Sequence, residues 1–337
     1  MRAFVITGPG QCSVQDAEPP AAAAGQVVVD VERAGVCGTD AEFYAGTMSY
    51  LRTGEAAYPV RIGHEWCGTV SAAGPGVDPA WLGRRVTGDT MLGCGRCARC
   101  RSGRQHVCAD RFEIGVRRGW PGALAEQVAV PLTALHELPD PVDATLGALV
   151  EPAGSALRAV QAAALAPGDR VLVLGPGTIG LLAAQFARAA GAEVHLLGLT
   201  ETSLAFARGI GFGSAWRAGD LPPGTFDAVI DASTGPELPA LALDLAEPGK
   251  RVVYIGIAGT QSLIDTRALV LKDVTAVGIL SASPGLAETI RLFAAGAVDP
   301  RPLVAATVPL TEVGAVLAGH RPAGAGGGPK IHVDPRL

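Results

Sequence analysis

Val171-Leu-Val-Leu-Gly175-Pro-Gly177-Thr-Ile-Gly180 decides the fold: an apolar, strand-like run breaks into Gly-x-Gly-x-x-Gly and continues into the helical stretch Leu181 to Ala190. In such a turn Gly175 makes the tight reversal, Gly177 lets a pyrophosphate approach the backbone, and Gly180 lets helix and strand pack closely. The helix that begins over Thr178, Ile179 and Gly180 offers free N–H groups to phosphate. In a chain with 45 glycines the motif alone would suit a structural turn equally well. Strand, loop, helix and second strand stand here in order, which is the context a dinucleotide site requires.

The second strand, Glu193-Val-His-Leu-Leu, runs into Gly198, where an acid would grip the ribose diol of NAD. Nothing at Gly198 repels a 2′-phosphate. Thr200, Thr202 and Ser203 supply hydroxyls at the start of the next helix, whose N-terminus favours an anion. The cofactor is read as NAD(P), with NADP favoured over NAD.

Outward from this motif, apolar strands are expected at Arg170–Gly175, Glu193–Leu197, Ala228–Ala232, Arg251–Ile255 and Thr275–Ile279, with helices between them. That alternation is the signature of βαβ units and a doubly wound parallel sheet. Before it, short β-rich runs at Val27–Val31, Gly68–Ser71, Arg85–Thr87 and Ala125–Val130 are separated by Gly/Pro turns. After it come a strand at Leu303–Val308, a short helix near Thr311–Leu317, a glycine-rich turn and Ile331–Val333. The expected division is a β-rich catalytic domain over 1–150, a Rossmann domain over 151–285, and a return over 286–337 that completes the first domain. The fold class is α/β.

Within the first domain Cys94, Cys97, Cys100 and Cys108 are spaced C-x2-C-x2-C-x7-C. Four thiolates on one tight loop close a tetrahedral shell around zinc with no open position, so this is read as a structural metal knot. Disulfides are the alternative, but no charged n-region with an apolar run opens the chain at Met1 to Gln11, and a reducing cytoplasm is expected. A C-x2-C redox pair gains nothing from a third and fourth thiol. A second set is dispersed: Cys37 in Gly-Val-Cys-Gly-Thr39-Asp40, His64 and Glu65 in Gly-His-Glu-Trp66, and Glu151 in Val-Glu-Pro152. One thiolate, one imidazole and one or two carboxylates make a zinc site that keeps a position open. Singly, each has a plain explanation: a small buried Cys, a core His, and, for Glu151 before Pro152, a helix start.

Composition limits the rest. The 337 residues suggest two domains, and 48% hydrophobic content fills their cores. A net charge of −5 without a long basic run excludes a nucleic-acid surface. No apolar stretch approaches the roughly 18 residues of a membrane span.

The Cys37-Gly-Thr-Asp turn, the Gly-His-Glu triplet, the four-cysteine loop, the Glu-Pro junction and the Gly-rich loop appear in one order along the chain. In that order the sequence resembles the zinc-containing branch of the medium-chain dehydrogenase/reductase superfamily. Cys37-Gly-Thr-Asp-Ala-Glu42, the 27-residue step to His64 and Gly103-Arg-Gln-His-Val-Cys108 look most like glucose dehydrogenases, with polyol and threonine dehydrogenases near. The resemblance implies a GroES-like catalytic domain and a Rossmann domain. It implies two zincs per chain: a structural one in the cysteine loop, and a catalytic one on Cys37, His64 and Glu151 with Glu65 as an exchanging ligand. It implies hydride transfer between NAD(P) and a secondary alcohol, with zinc as Lewis acid on the substrate hydroxyl. Thr39 takes the hydroxyl proton and Glu42 completes the path or holds a sugar hydroxyl. Most alcohol, sorbitol and threonine enzymes have His where this chain has Glu42. Asp40 orients His64.

Glu42 points to a polyhydroxylated substrate such as an aldose, polyol or cyclitol. Trp66 and Met48 to Tyr50 instead suit an apolar pocket for a plain secondary alcohol, or belong to the core, and a cyclitol or amino-alcohol dehydrogenase of the same superfamily is a further alternative. Two other classes compete, a zinc-free enone reductase and a non-enzymatic nucleotide-binding zinc protein. The family implies a homodimer or homotetramer joined at the edge strand Thr275 to Ile279.

Overall fold

A computed structural model describes residues 1–337. Six parallel strands form one sheet in the spatial order Ala215–Trp216, Glu193–Leu197, Arg170–Leu174, Phe226–Asp231, Ala246–Tyr254 and Thr275–Gly278. The chain thus winds outward from Arg170–Leu174 in both directions, and the order reverses between that strand and Phe226–Asp231. A crevice opens at such a reversal, at the C-terminal ends of the strands. Ala215–Trp216, absent from the sequence reading, is a two-residue edge strand too short to show a period.

The second sheet has seven strands. Val304–Val308, Lys330–Val333, Gln26–Gly35, Glu65–Ala73, Arg85–Gly88 and Leu135–Glu137 follow one another, and Gln127–Pro131 also pairs with Gln26–Gly35. The C-terminal strands therefore complete the sheet built by the N-terminal third. Lys330–Val333 enters beside Gly35, with His332 opposite Gly35 and Glu65 opposite Gly35 on the other side. A hairpin of Arg2–Gly8 and Gln11–Asp16, also not anticipated, packs Phe4 and Ile6 into this core.

A 20-residue helix, Ala144–Ala163, joins the two halves. Asp143 caps it by accepting from Leu146 N at 2.9 Å, and the alanine-rich sequence favours helix throughout. Glu151 and Pro152 lie in its interior, so they do not mark a helix start as the sequence suggested. The start is set by the Asp143 cap, and the boundary expected at 150/151 falls inside one rigid element. The helix packs with Leu181, Phe186, Leu286 and Phe293 of the nucleotide half, and leans on strand Glu65–Ala73 where Gly147 leaves no space for a Cβ against Cys67. Helix Leu286–Ala294, assigned by sequence to the C-terminal return, buries Leu286, Ile290 and Phe293 in the nucleotide-domain core instead. Its apolar positions 286, 290 and 293 line one helical face, and that face meets Phe186. No helix is long and apolar enough to cross a membrane.

Candidate active site

The dinucleotide turn has the form its three glycines require. Gly175 adopts φ +90°, where a side chain is strained, and a Cβ there would meet Ala232 O at 3.0 Å. A Cβ on Gly180 would overlap Gly175 O, so helix Thr178–Ala189 sits directly on its strand. A Cβ on Gly177 would point into open space, the side from which a ligand approaches. The crevice above has a volume of about 470 Å³, within the usual range for ligand sites. Gly175, Gly177, Gly198 and Thr200 line it, while Thr178, Ile179 and Gly180 form the first turn of the helix behind it. Thr202 lies outside the lining. Thr200 caps helix Glu201–Gly209 and accepts from Ser203 N at 3.3 Å.

Sequence reasoning missed the other wall, Ala232 to Gly235. Asp231 shapes it by accepting from Ser233 N at 3.0 Å and Ser233 Oγ at 2.5 Å. The signal was present in Asp-Ala-Ser-Thr-Gly following an apolar strand, a turn that Asp side chains favour.

In the first domain four sulfurs come within 4.8 Å of one another. Cys94 Sγ lies 4.0 Å from Cys100 Sγ and Cys97 Sγ 3.8 Å from Cys108 Sγ, and all four thiols are free. A tetrahedron with zinc–sulfur bonds of about 2.3 Å has edges of about 3.8 Å, so the spacing fits a single ion. Backbone N–H groups of Arg96 and Cys97 hold the Cys94 thiol down at about 6, whereas burial and the neighbouring thiols push Cys100 up to about 12. Thiolates that oppose one another's ionisation need a cation among them.

The dispersed set also converges. Ligand atoms of Cys37, His64 and Glu65 lie within 4.8 Å of one another, and His64 and Glu65 are buried. Cys37 precedes helix Gly38–Ala45, where Asp40 Oδ2 accepts from Cys37 N at 2.9 Å. The other oxygen of Asp40 faces His64 Nδ1 at 3.9 Å, and both atoms are buried without a hydrogen bond. Burial alone would lower the His64 pKa, but the charges of Cys37, Asp40 and Glu151 and a hydrogen bond with Cys37 hold it well above the usual range. Surroundings that favour a proton so strongly favour a divalent cation for the same reason.

Glu151 lies outside the group of three that the structure brings closest. It reaches the site from the long helix, within charge range of His64 and Glu65, and makes no hydrogen bond to the protein. Burial, with Glu65 and Asp89 nearby, raises its carboxyl to about 7. Glu65 is closer because it directly follows His64, at the start of strand Glu65–Ala73, yet its carboxylate is taken by Lys330, which donates to both oxygens. Sequence analysis missed Lys330; a lysine in a terminal strand carries no motif. The donor set fits zinc: one sulfur, one imidazole and carboxylate oxygen in a buried, electronegative pocket.

Thr39 is half-buried beside Cys37, and its hydroxyl engages no protein partner. Glu42, one turn further on, is exposed, and partial desolvation raises its carboxyl against the pull of Arg52. Trp66 is wholly buried in the core against Gly88, and Met48 is buried too, so neither lines an open pocket. Tyr50 donates to Glu113 at 3.0 Å and accepts from Arg111 at 3.2 Å.

Comparison with known proteins agrees with this geometry. Residues 23–140 match the Alcohol dehydrogenase GroES-like domain, and residues 178–295 match the Zinc-binding dehydrogenase family. The chain is 31% identical over 305 residues to 2-dehydro-3-deoxy-L-galactonate 5-dehydrogenase of Pseudoalteromonas atlantica, covering 88% of each chain. It is 33% identical over 292 residues to L-threonine 3-dehydrogenase of Saccharopolyspora erythraea, covering 83% of each. The crystal structure of a zinc-binding dehydrogenase from Sinorhizobium meliloti 1021 bound to NADP superimposes with a TM-score of 0.89 at 30% identity over 99% of both chains. With both domains matched and full-length relatives above 30% identity, the chain belongs to the zinc-binding branch of the medium-chain dehydrogenases, NAD(P)-dependent oxidoreductases acting on CH–OH groups.

Proposed function

We propose that this enzyme oxidises a secondary hydroxyl of a polyhydroxylated substrate, an aldose, polyol or cyclitol, and passes the hydride to NADP in preference to NAD. The observation that carries the reading is the convergence of Cys37, His64 and Glu65, with Glu151 within charge range of His64, in a chain that also has a crevice over the Gly-rich turn. Cys37, His64 and Glu151 hold the catalytic zinc, while Lys330 keeps Glu65 in reserve as an exchanging ligand. Cys94, Cys97, Cys100 and Cys108 hold a second, structural ion. A zinc ion at the first site supplies the Lewis acidity that makes a substrate hydroxyl easy to ionise. Thr39, with its free hydroxyl beside Cys37, accepts that proton and passes it to solvent or cofactor ribose. Asp40 biases the His64 ring. Glu42, where related enzymes carry His, holds a second substrate hydroxyl, because a carboxylate accepts hydrogen bonds from a polyol.

Support for NADP comes from Gly198, where a Cβ would meet Pro176 at 2.8 Å and Leu204 at 2.9 Å, so an acid there would have to displace both side chains. Arg217, exposed and without an ion-pair partner, precedes Ala218 in the crevice wall. The subunits associate as a homodimer or homotetramer through Thr275–Gly278, which has a neighbour on one side only, beside the exposed Val270 and Leu271. Seven free cysteines support a reducing cytoplasm.

A panel of sugars, polyols and simple secondary alcohols with both cofactors, followed at 340 nm, tests the substrate. Turnover confined to simple alcohols would overturn the polyhydroxylated reading, and a preference for NAD would overturn the cofactor reading. Cys37→Ser should lose one of two zincs and all turnover while keeping the fold; retained turnover would remove Cys37 from the site.

A further inference from the structure

Asp89 is a buried carboxylate outside the proposed metal ligands, and three separate parts of the molecule meet on it. It follows strand Arg85–Gly88 of the first domain. Its Oδ1 accepts from Ser283 Oγ at 2.8 Å and from Met91 N at 3.0 Å, and its Oδ2 accepts from Gln105 Nε2 at 2.9 Å. Ser283 comes from the nucleotide half, and Gln105 from the four-cysteine lobe between Cys100 and Cys108. No lysine or arginine forms a salt bridge with Asp89, and burial raises its carboxyl against the pull of those hydrogen bonds. Arg158 and His136 lie within charge range but neither is in hydrogen-bond contact with it, and an acid so buried is costly, so its place at this junction asks for a use.

The loop it reaches, Ile279 to Ser283, is fixed from the other side as well. Arg158 of the long helix donates to the carbonyls of Leu280 and Ser281. Ser281 adopts φ +69°, and its hydroxyl lies 3.0 Å from Ser283 Oγ and accepts from Ser283 N at 3.2 Å. Gly154, one turn beyond Glu151, would place a Cβ 2.9 Å from that of Ala282. Each half of a doubly wound sheet takes one mononucleotide at the C-terminal ends of its strands. Phe226–Asp231, Ala246–Tyr254 and Thr275–Gly278 form the second half, and this loop leaves the last of them at that end. It therefore borders the place of the nicotinamide mononucleotide.

We propose that Asp89 is a positioning residue that ties the four-cysteine lobe to the loop Ile279 to Ser283 and thereby sets affinity for the nicotinamide end of the cofactor. This rests on reading the crevice as the NAD(P) site. Ser283 and Gln105 then influence cofactor binding through one shared acceptor.

The test is the dissociation constant for NADPH and NADH, read by nucleotide fluorescence on the zinc-loaded protein. It is measured with unfolding midpoint and zinc content for the parent, Ser283→Ala, Ser283→Thr, Gln105→Ala and the Ser283→Ala/Gln105→Ala double variant. Each alanine variant is expected to weaken binding about five- to tenfold, a usual size for coupling between sites, with zinc content unchanged. Ser283→Thr restores affinity. The double variant falls short of the product of the singles, since both act through Asp89. Unchanged affinity in both alanine variants, a lowered midpoint with unchanged affinity, or strictly multiplicative effects would each overturn the proposal. A parent protein that binds neither nucleotide would overturn the function proposed above instead.

Discussion

Lys330 Nζ lies 2.6 Å and 2.8 Å from the two carboxylate oxygens of Glu65, and both side chains are almost wholly removed from solvent. Lys330 also donates to Val36 O at 3.0 Å, so the ammonium is held by the segment that leads into Cys37. The last strand of the chain thus neutralises the acid that follows His64.

Lys330→Met leaves Glu65 buried without a partner. Breaking one side of a buried ion pair costs about 3–5 kcal/mol, and replacing both members by neutral groups of similar size costs far less. Urea unfolding should therefore show Lys330→Met well below the parent and Lys330→Met/Glu65→Gln recovering most of the loss.

Gly35 lies opposite Glu65 in the sheet, with His332 on its other side, and a Cβ on it would overlap Glu65 Oε2. Gly35→Ala forces the carboxylate to move, a crowding cost of about 1–3 kcal/mol. The same displacement disturbs Glu65 beside His64, so zinc content measured by atomic absorption should fall with stability. A variant of full stability and full zinc content would mean that the strand shifts to make room.

His332 is completely buried, and neither ring nitrogen has a hydrogen-bond partner. Burial, with Lys330 and Arg33 nearby, lowers its pKa to about 3 from an ordinary 6.5. The unfolded chain takes up a proton below about pH 6.5 that the native ring refuses. Stability from this residue is full above pH 6.5, declines as pH falls, and levels off near pH 3. In His332→Leu the fall in unfolding free energy between pH 7 and pH 4 should be shallower than in the parent; parallel curves would exclude the ring as the source.

Cys100→Ser opens the four-sulfur shell. Structural zinc contributes folding free energy, so the variant should bind one zinc instead of two and unfold at lower denaturant concentration. Two retained ions per chain would exclude this cluster as a metal site.

Gly198→Asp restores the ribose-gripping acid at the cost of moving Leu204 and Pro176. Repulsion of the 2′-phosphate should shift the kcat/KM ratio of NADP to NAD at least tenfold toward NAD. An unmoved ratio would place the 2′-phosphate elsewhere.

How much of this was legible in sequence depended on distance along the chain. Gly175 to Gly180 and Cys94 to Cys108 are contiguous, so spacing alone carried the chemistry. Cys37 and His64 were identified through the ordered motifs of a family. Lys330 and Ser283 were invisible because their partners lie 265 and 194 residues away, and only the closed sheet and packed interface bring them together. Pro152 misled because proline is favoured at the first position of a helix and disfavoured in its interior; tertiary packing of Ala144–Ala163 overrides that tendency. Trp66 was ambiguous because aromatic residues serve cores and pockets alike.

The helix that carries Glu151 lies in one hydrophobic interior shared with the nucleotide half, packed against Cys67 on one flank and Leu181 and Phe293 on the other. A substitution at Leu181 or Phe293 that shifts this helix would therefore displace the acid as well, so a change made far from the candidate metal site reaches it through packing.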